Sequence, residues 1–327
     1  MAKSHRVLPG FEISLGYTLT VLTLLLVLPL IACLFKAATL TPAEFLGAVW
    51  TKRAVATYML SFGASAIAAL INVLIGLLLA WVLVRYDFYG RRFLDALIDL
   101  PFALPTAVAG LVYSALLVEK GWYGQFLVPL GIKGAYSRLG IVIVLVFVGL
   151  PFVVRTVQPV LESLEGEAEE AAAMLGANRW QTMWRVLFPA LQPSLMTGFA
   201  LSFARGLGEY GSVIFISGNM PFKTEIAPFL IVARLEQFAY AEATAIAIVL
   251  MGMSLASLAT ALVVTMVGSP QSALRCVRSV ASMGASCRVN VAMACSSNLR
   301  HWIARGVTRM MAGHPKVRAS MMQSTIR

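Results

Sequence analysis

Ser14 to Phe35 runs for 22 residues without a charge, and Ala54 to Val84 runs for 31. At about 1.5 Å per residue, ~20 helical residues cross a hydrocarbon core of about 30 Å. Uncharged runs of this length set the class: an all-α, polytopic membrane helical bundle. Composition agrees. Of 327 residues, 59% are hydrophobic and 13% charged, where a soluble domain carries about 25% charged.

Further apolar runs predict spans at roughly Phe93 to Val118, Leu139 to Val154, Ser194 to Ile216 and Glu242 to Val267. The first of these contains Pro101 and Pro105, which membrane helices tolerate when neighbours satisfy the freed carbonyls. The stretch "GNMPFKTEIAPFLIVARLEQFAY" has only short apolar runs. It reads as a loop with a partial helix, which leaves a seventh span open; the expectation is six. Residues 1–13 form the N-terminus, 14–267 the membrane domain and 268–327 a tail. Lys3 and Arg6 precede the first span, which is longer than a cleavable signal segment and is followed by more spans, so it reads as uncleaved. "LIAC" at Leu30 to Cys33 resembles a lipoprotein cleavage box, but cleavage there would discard a complete span.

The net charge of +11 belongs to the tail: nine of the 26 Lys and Arg follow residue 267, and no Asp or Glu follows Glu242. The body keeps 17 basic against 15 acidic residues. A sparse basic tail behind membrane spans does not support nucleic-acid binding, and its composition points to no defined fold or to a membrane-surface segment. Cys33, Cys276, Cys287 and Cys295 show no CxxC spacing, and His5, His301 and His314 are terminal. Neither a disulfide framework, a metal site nor a catalytic imidazole follows. There is no GxxxxGK[ST] phosphate loop, so no cofactor is expected and the chain is expected to be non-catalytic. Counting Lys and Arg in the loops gives eight on each side of the membrane, so the charge rule leaves orientation undecided.

Residues 155–191 interrupt the apolar pattern. Glu167 to Leu175 are good helix formers. Gly176 stands where a left-handed cap would end a helix. Asn178 and Gln181 have capping-box spacing, and Trp180, Met183, Trp184 and Leu187 form one apolar stripe. Pro189 suits a break before the next span. The expectation is two short helices joined by a tight turn. Ala171, Ala172 and Gly176 would let a partner backbone approach closely, and Glu169 and Glu170 could pair with a basic partner. Packing on the chain's own domain is the plainer alternative.

The string Glu170, Ala171, Ala172, then Gly176, then "VLFP" ending at Pro189 resembles the EAA loop of ABC importer permeases, E-A-A-x3-G-x9-I-x-L-P. Val186 stands for Ile and Phe188 for Leu. "RRFLDALIDLPFALPTAVAGL" (91–111), "PFVVRTVQPVLE" (151–162), "ALSFARGLGEYGSVIFISGN" (200–219) and "KTEI" (223–226) resemble the sulfate/thiosulfate permease family, CysT/CysU. The related CysW-type permeases and the molybdate permeases share the GE[FY]G element. The resemblance spans about residues 12 to 265.

It implies a type I ABC importer permease fold in the bacterial inner membrane, with the N-terminus and the 155–191 loop cytoplasmic. Its implied partners are ATPase subunits forming a homodimer, a CysW-type second permease, a periplasmic sulfate/thiosulfate-binding protein and the lipid bilayer. The loop would dock in a groove of the ATPase. A secondary transporter is the rival class; it would need ion-coupling groups and usually an internal repeat, which the sequence does not show.

Arg205 and Glu209 are the charges inside the fifth run. Four residues apart, they are expected to share a helix face and pair. Charge within a span costs about 2.5–3.5 kcal/mol on insertion scales, so such residues face a bundle interior or a water-filled path. A translocation-path role and a packing role both remain open at this level.

Overall fold

The computed structural model describes residues 11–164, 167–174 and 176–260, and among these every regular element is helical. The N-terminal residues 1–10, the 268–327 tail and the end of the last expected span lie outside the described residues.

Five helices are long and apolar enough to cross a membrane: α1 (Ile13–Ala37), α3 (Lys52–Arg85), α6 (Arg138–Ser163), α8 (Arg179–Leu207) and α11 (Tyr240–Thr260). Between them lie α2 (Pro42–Val49), α4 (Arg91–Ile98), α5 (Thr106–Leu117), α7 (Glu167–Met174), α9 (Val213–Ser217) and α10 (Ala227–Glu236). A helix satisfies its own backbone, which is why it is the element that crosses lipid.

Three boundaries differ from the sequence expectation. The third span is not one helix. Leu104, which precedes Pro105, sits at φ −82°, ψ 132°, because a proline ring pushes the residue before it out of the α region. The chain therefore passes from α4 through the single turn Leu100–Ala103 into α5. Second, α6 continues past Val154 to Ser163, so the hairpin starts later than residue 155. Arg155 reads as a membrane boundary, yet its charge is met by Asp95 and Asp99.

Third, Pro189 does not break the chain. The hairpin's second helix and the fifth span are one helix, Arg179–Leu207. A π turn, Met183–Leu187, lies just before Pro189, with the Phe188 amide donating to the Met183 carbonyl. The widened turn relaxes the clash between a proline ring and the carbonyl four residues earlier.

Helices α3, α6 and α8 form the centre. Ala80, Leu83, Val153, Val157, Leu161 and Leu191 are buried together there. Lipid tails are as apolar as leucine, so association in a membrane rests on close packing of small residues and on interhelical hydrogen bonds. Both meet at one crossing. Asn72 Nδ2 of α3 donates to Ser202 Oγ of α8 at 3.0 Å, directly over Gly149 of α6. A Cβ on Gly149 would lie 2.4 Å from each of those two atoms. A second cluster, with Val49, Ala54, Tyr58, Leu230 and Ile246, holds α10 and α11 against the start of α3. By contrast, no residue in the apolar window of α1 is buried.

Candidate functional site

Helix α7 ends in a Schellman turn. Gly176 takes φ +80°, and the Ala177 amide donates to the Ala172 carbonyl at 3.0 Å. The Asn178 capping box opens α8: the Gln181 amide donates to Asn178 Oδ1 at 2.8 Å, and the Asn178 amide donates to Gln181 Oε1 at 3.1 Å. Each half of the hairpin is thus closed by its own local chemistry, which leaves outward-facing side chains free.

Glu170 and Gly176 are both exposed and lie together on this hairpin. Ala171 belongs to α7, and Ala172 faces inward, 7% exposed. Pro189 is exposed but sits about 15 Å up α8 from Arg179, so it belongs to the helix shaft. Trp180 and Trp184 are exposed and stack edge-to-face at 5.6 Å, with Phe188 5.0 Å further on. The apolar stripe is therefore split: Leu187 packs inward and the tryptophans do not. Glu169 differs from its expectation as well. It is ion-paired with Arg85 at the end of α3, so of the two acids Glu170 alone is open to a basic partner among the described residues.

Arg205 and Glu209 do pair, with Arg205 Nη1 2.5 Å from Glu209 Oε2. The two do not share a helix face, because α8 ends at Leu207 and Glu209 lies in the irregular stretch before α9. The Glu209 side chain is 1% exposed and that of Arg205 35%. Glu209 Oε1 accepts from the Ser212 amide at 3.0 Å and from Ser212 Oγ at 2.9 Å.

This interruption of the fifth run packs on α5, the helix that follows the interruption of the third. A Cβ on Gly110 of α5 would lie 2.2 Å from the Ser212 carbonyl oxygen, and one on Gly211 2.3 Å from Thr106 Oγ1, so the irregular stretch lies close against the first turns of α5. Irregular backbone at membrane depth is tolerated where it is buried in protein or lines a cavity. Discontinuous helices commonly build transporter substrate sites.

A third constellation has no counterpart in the sequence reading. Arg155 of α6 clamps α4: Nε and Nη2 donate to the two Asp99 carboxylate oxygens at 2.9 and 2.6 Å, and Nη1 donates to Asp95 Oδ1 at 2.7 Å. Asp95 lies in α4 and Asp99, four residues on, caps its end, and that spacing was the available signal.

The model of the family described as "Binding-protein-dependent transport system inner membrane component" matches residues 72–269. The Sulfate transport system permease protein CysT of Escherichia coli (strain K12) is 49% identical over 252 residues, 77% of this chain and 91% of that protein. The protein of the same name from Synechocystis sp. (strain ATCC 27184 / PCC 6803 / Kazusa) is 51% identical over 246 residues, 75% of this chain and 86% of that one. In the crystal structure of a bacterial alginate ABC transporter in complex with an alginate pentasaccharide-bound periplasmic protein, one chain superposes with a TM-score of 0.64 at 18% identity, covering 76% of this chain and 91% of that one. That likeness carries the fold. The family match and the two relatives together place this multi-pass chain among the inner membrane components of binding-protein-dependent transport systems, the family to which it belongs.

Proposed function

We propose that the chain is the permease subunit of an ATP-driven sulfate/thiosulfate importer. The observation that carries this is the identity of about half of all aligned residues to sulfate permeases along nearly their whole length. In this reading a periplasmic binding protein delivers the anion and this chain supplies half the pathway. A CysW-type permease supplies the other half, and two identical ATPase subunits hydrolyse ATP. The exposed Glu170, Gly176, Trp180 and Trp184 face the ATPase, with the hairpin and the N-terminus cytoplasmic. Arg205, a third exposed beside the end of α8, offers a positive contact to a dianion.

The test is copurification of the assembled transporter, then ATP-dependent uptake in vesicles with each candidate binding protein. Uptake of molybdate or tungstate without sulfate or thiosulfate would replace the substrate. Uptake driven by an ion gradient without ATP would replace the class.

Gly176→Asp tests the docking role. At φ +80° a side chain costs about 1 kcal/mol, yet nothing lies within 4 Å of the added Cβ. The hairpin should therefore still fold. The new charge should weaken ATPase recruitment and lower uptake by about tenfold or more, which corresponds to ~1.4 kcal/mol of docking energy. Normal recruitment with normal uptake would remove the hairpin from the interface.

A further inference from the structure

Helix α3 is gripped by an arginine at each end. At its start, Arg53 Nε and Nη2 donate to the two carboxylate oxygens of Glu225 at 2.8 and 2.6 Å, and the Glu225 side chain is wholly buried. At its finish, Arg85 is the last helical residue. It is ion-paired with Glu169 of α7, donates to the Leu164 carbonyl that follows α6 at 3.4 Å, and lies 5.5 Å over the Trp81 ring. The whole 34-residue helix makes a rod of about 50 Å. No charge lies between the two arginines.

Helix α7 packs on residues 179–187, the opening of α8. Its chain connections lead to α6 and α8, not to α3. Among the described residues, Arg85–Glu169 is the ion pair joining α7 to a span outside the hairpin's own chain. Apolar helix flanks permit shear. A charge-assisted contact between fixed partners resists it.

We propose that Arg85 and Glu169 are positioning residues for transport: they carry displacement of α7 into α3, and the rigid rod delivers it to the Arg53–Glu225 contact at the far end. The inference rests on the hairpin being the ATPase contact, as proposed above. Without the pair, movement of the hairpin would reach α6 and α8 while α3 lagged behind.

The test uses the whole transporter in vesicles, with the second permease, the ATPase subunits and the binding protein. Two quantities are read: ATPase copurified, and ATP hydrolysed per anion imported. Arg85→Gln and Glu169→Gln should keep the ATPase bound yet consume roughly two to thirty times more ATP per anion, the range for residues along a coupling route. The exchange of Arg85→Glu with Glu169→Arg should recover most of that loss. In a background with Cys33→Ser, Cys276→Ser, Cys287→Ser and Cys295→Ser, the pair Arg85→Cys and Glu169→Cys, joined by a short bis-maleimide crosslinker, should still import, because the two positions move together.

An unchanged ratio in the single variants overturns the proposal. So does arrest of uptake by the crosslink. Loss of copurified ATPase in Arg85→Gln also overturns it, by making the pair a support for hairpin folding. If Gly176→Asp impairs recruitment while Arg85→Gln changes nothing, only this inference fails. If Gly176→Asp recruits and transports normally, the hairpin reading fails first.

Discussion

Gly149→Val should leave almost no folded protein in the membrane, and even Gly149→Ala should lower stability measurably. The added Cβ would meet Asn72 Nδ2 and Ser202 Oγ at 2.4 Å each. Both are tips of short side chains, both residues are buried, and they are bonded to each other. Neither can swing away without leaving buried polar atoms unpaired, so the helices must separate instead. Overpacking of this kind costs about 1–3 kcal/mol for one methyl; a branched side chain adds further clashes. The check is thermal aggregation in detergent. Gly149→Ala combined with Asn72→Ala and Ser202→Ala removes both clashing atoms and should regain most of the lost melting temperature. A Gly149→Ala single variant that melts with the parent would show that the three helices do not cross this closely.

Arg205→Ala should be a costly charge removal. It leaves the Glu209 carboxylate, 1% exposed, without its cation. Stripping one partner from a buried ion pair costs about 3–5 kcal/mol. The two hydrogen bonds from Ser212 remain, which argues for the lower end, about 3 kcal/mol. Adding Glu209→Gln removes the stranded charge while keeping an acceptor for Ser212, so assembly should return. Uptake then separates two roles. An assembled double variant that imports poorly places Arg205 on the anion path. One that imports at the parental rate leaves Arg205 only the task of neutralising Glu209.

The uncharged runs predicted α1 and α3 to within a few residues, because hydropathy over 20 or more positions needs no tertiary information. Where the reading failed, the missing term was a partner distant in sequence or a local change of helix type. Arg155 looked like a boundary because its neutralising acids lie 56 and 60 residues earlier. Glu169 looked available because Arg85 is 84 residues away. Pro189 looked like a breaker because composition does not announce a π turn. The hairpin's closure was legible for the opposite reason: Gly176, Asn178 and Gln181 act on amides and carbonyls within a few residues of themselves. Which face of the hairpin stays open was not legible, since that depends on how α7 meets the start of α8.

The length of α3 also bears on the lipid around it. Its uncharged stretch of 31 residues is about 46 Å long, against a hydrocarbon core of about 30 Å. One face along its length, with Tyr58, Ala64, Ala68, Asn72, Ala80 and Leu83, is covered by protein, while Met59, Ile67, Leu70, Leu74 and Leu78 on the other are exposed. The excess is thus partly sheathed by neighbouring helices, and the rest must be taken up by tilt or by local thickening of the bilayer. Hydrophobic mismatch is thereby built into the helix on which the other two central spans pack. Acyl-chain length becomes a mechanical variable: a thinner bilayer makes α3 lean further and swings its arginine-tipped ends sideways, and a thicker one stands it upright.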